Sequence, residues 1–225
     1  MNGAAIVWQL GPFGITTTVL TTWVLMAALT LVSWMITRRL SLDPGRWQSM
    51  LEGIVVTMQD AIEAILPGRS VELLPLIGTL WLYLVCANLV GLIPEQHSPT
   101  AEISVTAGLA LVVFFASHWF GIRSDGLMPY LRHYLSPSVL LLPFNLISEL
   151  TRTLALAVRL FGNMMSLELA ALLVLLVAGL LVPVPLLLLH VVEALVQAYI
   201  FGVLALVYIA GGIESQPHPE GVKAS

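Results

Sequence analysis

Six side chains able to bind, carry or release charge sit inside two long apolar runs near the end of this 225-residue chain: Arg159, Asn163, Glu168, His190, Glu193 and Gln197. Arginine keeps its proton even when buried, so Arg159 is a permanent cation. Placing it at mid-membrane depth costs roughly 2.5–3.5 kcal/mol on insertion scales and about 10–17 kcal/mol in isolated-helix simulations. Such a charge must face a partner, a watery cavity or a passing carboxylate. His190 lies three residues before Glu193, so the two can meet on a helix, and an imidazole beside a carboxylate exchanges its proton under modest changes. This is the chemistry of an ion path rather than of bond making. No catalytic residue, resident cofactor or metal site is expected. His97, His118, His133 and His218 show no ligand-like spacing with cysteine or acid, and no glycine-rich phosphate loop followed by lysine occurs.

Helical periodicity sorts these groups. At about 100° per residue, Ser148, Arg152, Arg159, Asn163 and Ser166 fall within about 40° of one direction. Glu168 points about 180° away from Arg159, roughly 13 Å along the axis, which argues against an ion pair between them within the helix. Glu149 lies about 80° off the stripe and three residues before Arg152, a candidate local partner for that cation. On the following run His190, Glu193, Gln197, Phe201 and Tyr208 share a face within about 60°. Asn163, Gln197 and the serines taken alone also suit interhelical hydrogen bonding.

The elements that must position these groups are membrane helices. The sequence is 58% hydrophobic and 10% charged, with a mean hydropathy of +0.95, which excludes an ordinary soluble domain. The single cysteine, Cys86, rules out an internal disulfide scaffold, and a net charge of −4 gives no nucleic-acid signal. We expect an all-α polytopic membrane protein forming one membrane domain over residues 1–225. A first span covers 15–37, long enough to stay as an anchor rather than a cleaved signal. An amphipathic surface helix follows over 47–66, with Leu51, Ile54, Val55, Met58, Ile62 and Ile65 at helical spacing. A helical hairpin covers 73–121, turning at Pro94-Glu95-Gln96-His97-Ser98-Pro99. A basic-aromatic link with Pro129, Tyr130, Arg132 and His133 leads to a long hairpin over 139–212, turning at Leu181-Val182-Pro183-Val184-Pro185, before a polar tail at 213–225. The first arm of that hairpin is about twice the ~30 Å hydrocarbon thickness, so it must tilt, bend or protrude.

Five crossings and one surface helix put Arg38, Arg39, Arg46, Arg69, Arg123, Arg132 and Lys223 on one side, with no basic residue in the opposite loops. The positive-inside rule then predicts a cytoplasmic C-terminus and an N-terminus outside.

The motif Arg159-Leu160-Phe161-Gly162-Asn163-Met164 with Glu168 nine residues after the arginine resembles the a subunit of the membrane sector of F-type ATP synthases. So does Gln197-Ala198-Tyr199-Ile200-Phe201, with His190 seven before the glutamine and Tyr208 eleven after it. Asn88-Leu89-Val90-Gly91-Leu92-Ile93-Pro94 is a weaker echo, and the likeness spans about 47–214. Two departures stand out: Thr153 follows Arg152 where the family often has proline, and His190 stands where many members carry an acid.

The resemblance implies a stator in the lipid bilayer beside a ring of c subunits, with b-type peripheral stalk subunits as further partners, in a bacterial inner membrane. Two half-channels would carry H⁺ or Na⁺ to and from the ring carboxylates, with Arg159 the fixed cation between them. Asn163 and Gln197 would line the path, and Glu168 and His190 would belong to the outer half. Glu193 has no transferable role, and we expect it to join Glu168 and His190 in an outer inlet. If Arg159 and Gln197 are level, the hairpin should mirror near residue 178 rather than at the prolines. Two other classes remain to be weighed: a secondary transporter, for which internal repeats are missing, and a passive assembly subunit, which leaves the buried charges unexplained.

Overall fold

The computed structural model describes residues 6–10, 13–38, 45–93, 98–126, 128, 142–178 and 183–214. The expected turn residues 94–97, the link side chains Pro129, Tyr130, Arg132 and His133, the positions 179–182 and the tail from 215 lie outside the described residues, as do Arg39 and Lys223.

Among the described residues six α-helices carry the fold: α1 (Thr17–Thr37), α2 (Arg46–Glu63), α3 (Ser70–Val90), α4 (Ile103–Asp125), α5 (Leu142–Ala178) and α6 (Pro183–Glu214). All but α2 are long and apolar enough to cross a membrane, which makes five candidate spans among the described residues. A departure from expectation precedes them. Strands β1 (Ile6–Leu10) and β2 (Phe13–Thr16) pair antiparallel, so Ile15 belongs to a short ribbon and the first span begins at Thr17. Branched and aromatic residues around Gly11-Pro12 carry a hairpin signal that the apolar run had masked. Thr16 then caps α1, its hydroxyl oxygen accepting from the Val19 N–H at 3.4 Å.

The amphipathic helix ends at Glu63, three residues before the expected boundary. Gly68 adopts φ +79°, and its N–H donates to Glu63 Oε1 at 2.7 Å, turning the chain into α3. Ile62 and Leu66 enter the core while Trp47, Met50 and Val56 remain exposed. The C-terminal part of α2 is thus the part anchored to the protein.

Polar contacts fix which helix ends lie together. Arg69 Nη2 donates to Ser124 Oγ at 2.7 Å, and Arg123 Nε lies 3.7 Å from Glu72 Oε1, joining the start of α3 to the end of α4. The early part of α5 meets the same end through Glu149 and His118, and the end of α6 meets it where Gly212 packs on the Ser117 backbone. Four helices therefore alternate in direction. The core between them is built from Leu73, Ile77, Leu84, Ala110, Val113, Leu156, Leu160, Phe201, Leu206 and Ile209.

At ~1.5 Å per residue α5 is about 55 Å long, well beyond a ~30 Å hydrocarbon core. Helix α6 starts at Pro183, two residues into the expected turn. Proline is tolerated in a first helical turn because its missing N–H would have no intrahelical partner there.

Candidate ion-pathway site

Helix α5 has two unlike faces. Leu156, Ala157, Leu160 and Met164 are buried against the other helices, whereas Ser148, Arg152, Arg159 and Ser166 are exposed on the opposite side. Around Arg159 the exposed surface is otherwise apolar, with Leu154, Val158, Met165 and Leu169 all solvent-facing. Ala155 and Gly162, one turn to either side of Arg159, keep that face shallow, and a Cβ at Gly162 would meet nothing within 4 Å. Among the described residues no carboxylate pairs with Arg159.

The arginine motif reaches the glutamine motif one turn further on. Asn163 Nδ2 donates to Gln197 Oε1 at 2.7 Å. Asn163 is half-buried at the rim, Gln197 is buried, and Gln197 Nε2 has no partner among the described residues. It is thus Asn163, not Arg159, that stands level with Gln197. Next to it, Trp81 stacks on Tyr199 with centroids 6.1 Å apart and donates Nε1 to the Tyr199 carbonyl at 3.3 Å. Gly202 leaves the space for that indole.

A second polar centre lies at the other end of the helices. Glu168, on the far side of α5 from Arg159, accepts the Ser98 N–H through Oε1 at 2.6 Å. Gly91 makes room, since a Cβ there would stand 3.3 Å from that oxygen. His190 is buried, and its Nε2 lies 3.2 Å from the Asn88 carbonyl. A carbonyl only accepts, so Nε2 carries the hydrogen in this contact. The expected meeting of His190 with Glu193 does not form: among the described residues they make no ion pair, and Glu193 is half-buried. Helix α6 instead presses His190 against α3. Glu149 likewise points to His118 on α4, at 3.5 Å from Nε2, while Arg152 is exposed. Tyr208 is half-buried against the core.

Several residues of this arrangement escaped the sequence reading. Asn88 ties three segments together: Nδ2 donates to the Ala194 carbonyl at 3.2 Å, and Oδ1 accepts from Thr100 Oγ1 at 2.6 Å. Ser98 Oγ donates to the Ala87 carbonyl at 2.9 Å, beside Thr100. Glu102 Oε2 is buried without a partner among the described residues. The Asn88–Pro94 echo was the available signal for the first of these. His118 also carried one, because an ionisable residue inside an apolar span marks a functional position by default.

An α-helical membrane protein whose polar groups form two separate centres along one hairpin belongs with ion-pathway subunits rather than soluble enzymes. Comparison with known proteins makes the assignment specific. The family described as ATP synthase A chain matches residues 19–210. The chain is 64% identical over 208 residues to ATP synthase subunit a 2 of Pelobacter propionicus, covering 92% of this chain and 91% of the relative. It is 61% identical over 209 residues to ATP synthase subunit a 1 of Hahella chejuensis, covering 92% and 89%. With ATP synthase subunit a of Legionella pneumophila it shares 53% over 213 residues, covering 94% and 93%. The chain belongs to the ATP synthase A chain family, the a subunits of the membrane sector of F-type ATP synthase.

Proposed function

We propose that this chain is the stator of a rotary ATP synthase, providing two half-channels for H⁺ or Na⁺ with Arg159 as the fixed cation between them. One observation carries the reading: Arg159 is exposed on a shallow apolar face and has no carboxylate partner among the described residues. A cation placed there calls for an acid from outside the chain, and a ring of c subunits bearing carboxylates supplies one. The positive charge favours the ionised form of a passing carboxylate and opposes direct leakage of protons between the half-channels. Asn163 and Gln197 line the path beside Arg159. Glu168 and His190, with Glu193 nearby, form the outer inlet.

The chain itself carries no nucleotide chemistry in this reading; catalysis belongs to other subunits of the complex. Peripheral stalk subunits of the b type complete the stator, in a bacterial inner membrane with the C-terminus cytoplasmic. Arg38, Arg46, Arg69 and Arg123 on one side support that orientation. The test is Arg159→Ala in membranes that retain the whole complex. Ion-driven ATP synthesis is expected to fall to background, and synthesis at the wild-type rate would overturn the reading. Arg159→Lys is a sharper probe, because a lysine shielded from water by the ring can lose its proton where arginine cannot.

A further inference from the structure

The His118–Glu149 pair lies outside the two polar centres just described, in the half of the membrane that the stator reading assigns to the cytoplasmic port. His118 Nδ1 is 2.9 Å from the Phe114 carbonyl, one turn back on α4. That carbonyl can only accept, so Nδ1 holds a hydrogen and Nε2 carries the free lone pair of the neutral ring. Nε2 is the atom that faces Glu149 Oε1 across the α4–α5 contact, at 3.5 Å. The Phe114 ring braces the imidazole at 4.3 Å between centroids. The two side chains are 26% and 22% exposed, so neither is sealed from water nor fully open to it. Glu149 stands ten residues before Arg159, about 15 Å along α5 at 1.5 Å per residue, and His118 stands five residues before Arg123.

We propose that His118 and Glu149 form the proton relay of the cytoplasmic half-channel, and that the ion carried is therefore H⁺. A proton from water at the cytoplasmic mouth binds His118 Nε2, giving an imidazolium beside the Glu149 carboxylate. Transfer to Oε1 leaves neutral imidazole and a carboxylic acid. Glu149 then releases the proton toward the exposed face of α5, where a ring carboxylate accepts it; in the synthesis direction the steps reverse. The choice of ion follows from ligand chemistry, since Na⁺ would need a cage of oxygens and an imidazole nitrogen does not suit such a hard cation. Charged and titratable groups of the described residues stand on each helix packed here. Arg152 stands three residues further on α5 and is exposed. Arg123 on α4 is bridged to Glu72 of α3, and Arg69 is held by Ser124. Helix α6 packs here through Gly212, where a Cβ would stand 3.1 Å from the Ser117 carbonyl, and carries Tyr208 four residues earlier.

The proposal rests on the stator reading, and its test separates the two. ATP-driven pumping takes protons from the cytoplasmic face, which is outermost in inverted membrane vesicles. His118→Gln and Glu149→Gln keep hydrogen-bonding shape but cannot relay a proton. On vesicles matched for assembled complex, both are expected to lower pumping roughly tenfold or more at alkaline external pH, in line with loss of a positioned acid–base group. Their external pH profiles should shift toward acid, while the dependence on luminal pH stays unchanged. Glu149→Asp, which keeps a titrating acid, should restore most of the rate. Unchanged external profiles in both Gln variants, with Arg159→Ala inactive, overturn the relay and leave the stator reading standing. Wild-type pumping by Arg159→Ala overturns the stator reading itself. A strict Na⁺ requirement for pumping overturns the relay.

Discussion

Asn163 on α5 donates to Gln197 on α6 across 2.7 Å, and this contact sets the register of the long hairpin. Asn163 stands 15 residues before the end of α5 at Ala178 and Gln197 stands 14 after the start of α6 at Pro183, and a slip of either helix by one turn breaks the bond. Hydrogen bonds between membrane helices average ~0.6 kcal/mol and reach ~1.7 kcal/mol. Asn163→Ala and Gln197→Ala should each slow ATP-driven pumping, and the double variant should be little worse than the poorer single one. Strictly additive losses in that double-mutant cycle would mean the two side chains act independently.

Asn88 offers a contrast between support and chemistry. Its side chain joins the Ala194 carbonyl and Thr100, whereas His190 is held by the Asn88 main-chain oxygen. Asn88→Ala should therefore destabilise the subunit by about 1–3 kcal/mol through orphaned buried groups. The pH dependence at the outer face should keep its shape, because the His190 contact survives. Heat inactivation and outer-face pH profiles of the same membranes check both halves, and a displaced profile would assign Asn88 a direct part in the inlet.

Space at glycine makes a third prediction. A Cβ on Gly202 would fall inside the Trp81 indole, while one on Gly211 would meet nothing within 4 Å. Forcing apart packed helices costs typically ~1–3 kcal/mol. Gly202→Ala should reduce the amount of subunit found in the assembled complex, and Gly211→Ala should not. Gly91→Ala is expected to fall between them, since its neighbours Ser98 and Glu168 stand at 3.1 and 3.3 Å. Quantifying the subunit in purified complexes ranks the three, and equal yields would mean these helix contacts yield easily.

Glu63 closes the turn between α2 and α3 and carries a pH signature. Hydrogen bonds from the Ser70 side chain and the Gly68 N–H hold its carboxyl below the usual carboxylate range. A depressed folded value contributes stability above the unfolded pKa and loses it as the pH falls through the folded one. Glu63→Gln should therefore lower thermal stability at neutral pH and match the wild type once the pH drops below the folded pKa. A gap between the two that persists unchanged into acid would show that the charge is not what holds the turn.

How much of the site could be read beforehand depended on whether its partners were near in sequence. The polar stripe of α5 was legible because helical periodicity alone decides which residues share a face: Ser148, Arg152, Arg159 and Ser166 emerge together on the exposed side. The same logic failed for His190 and Glu193. Three residues apart on one helix, they could meet, but the packing of α3 against α6 offered His190 a carbonyl instead. Spacing shows which contacts are possible within a helix and says nothing of competitors arriving from another. Glu149 repeats the lesson, since its contact is His118 from α4.

The sequence by itself determined the solvent this protein needs, the five apolar spans, the family, and the placement of a permanent cation on an outward face. Those follow from composition and from a period of about 3.6 residues, both properties of the local chain. Only the tertiary structure decided that Asn163 rather than Arg159 lies level with Gln197, that Glu168 turns to Ser98, and that His118 faces Glu149. Each of these joins segments tens of residues apart, and their relative rotation and rise are set by side-chain packing between helices. No local pattern encodes that packing, so it was settled only where Gly91, Gly202 and Gly212 let neighbouring groups come close.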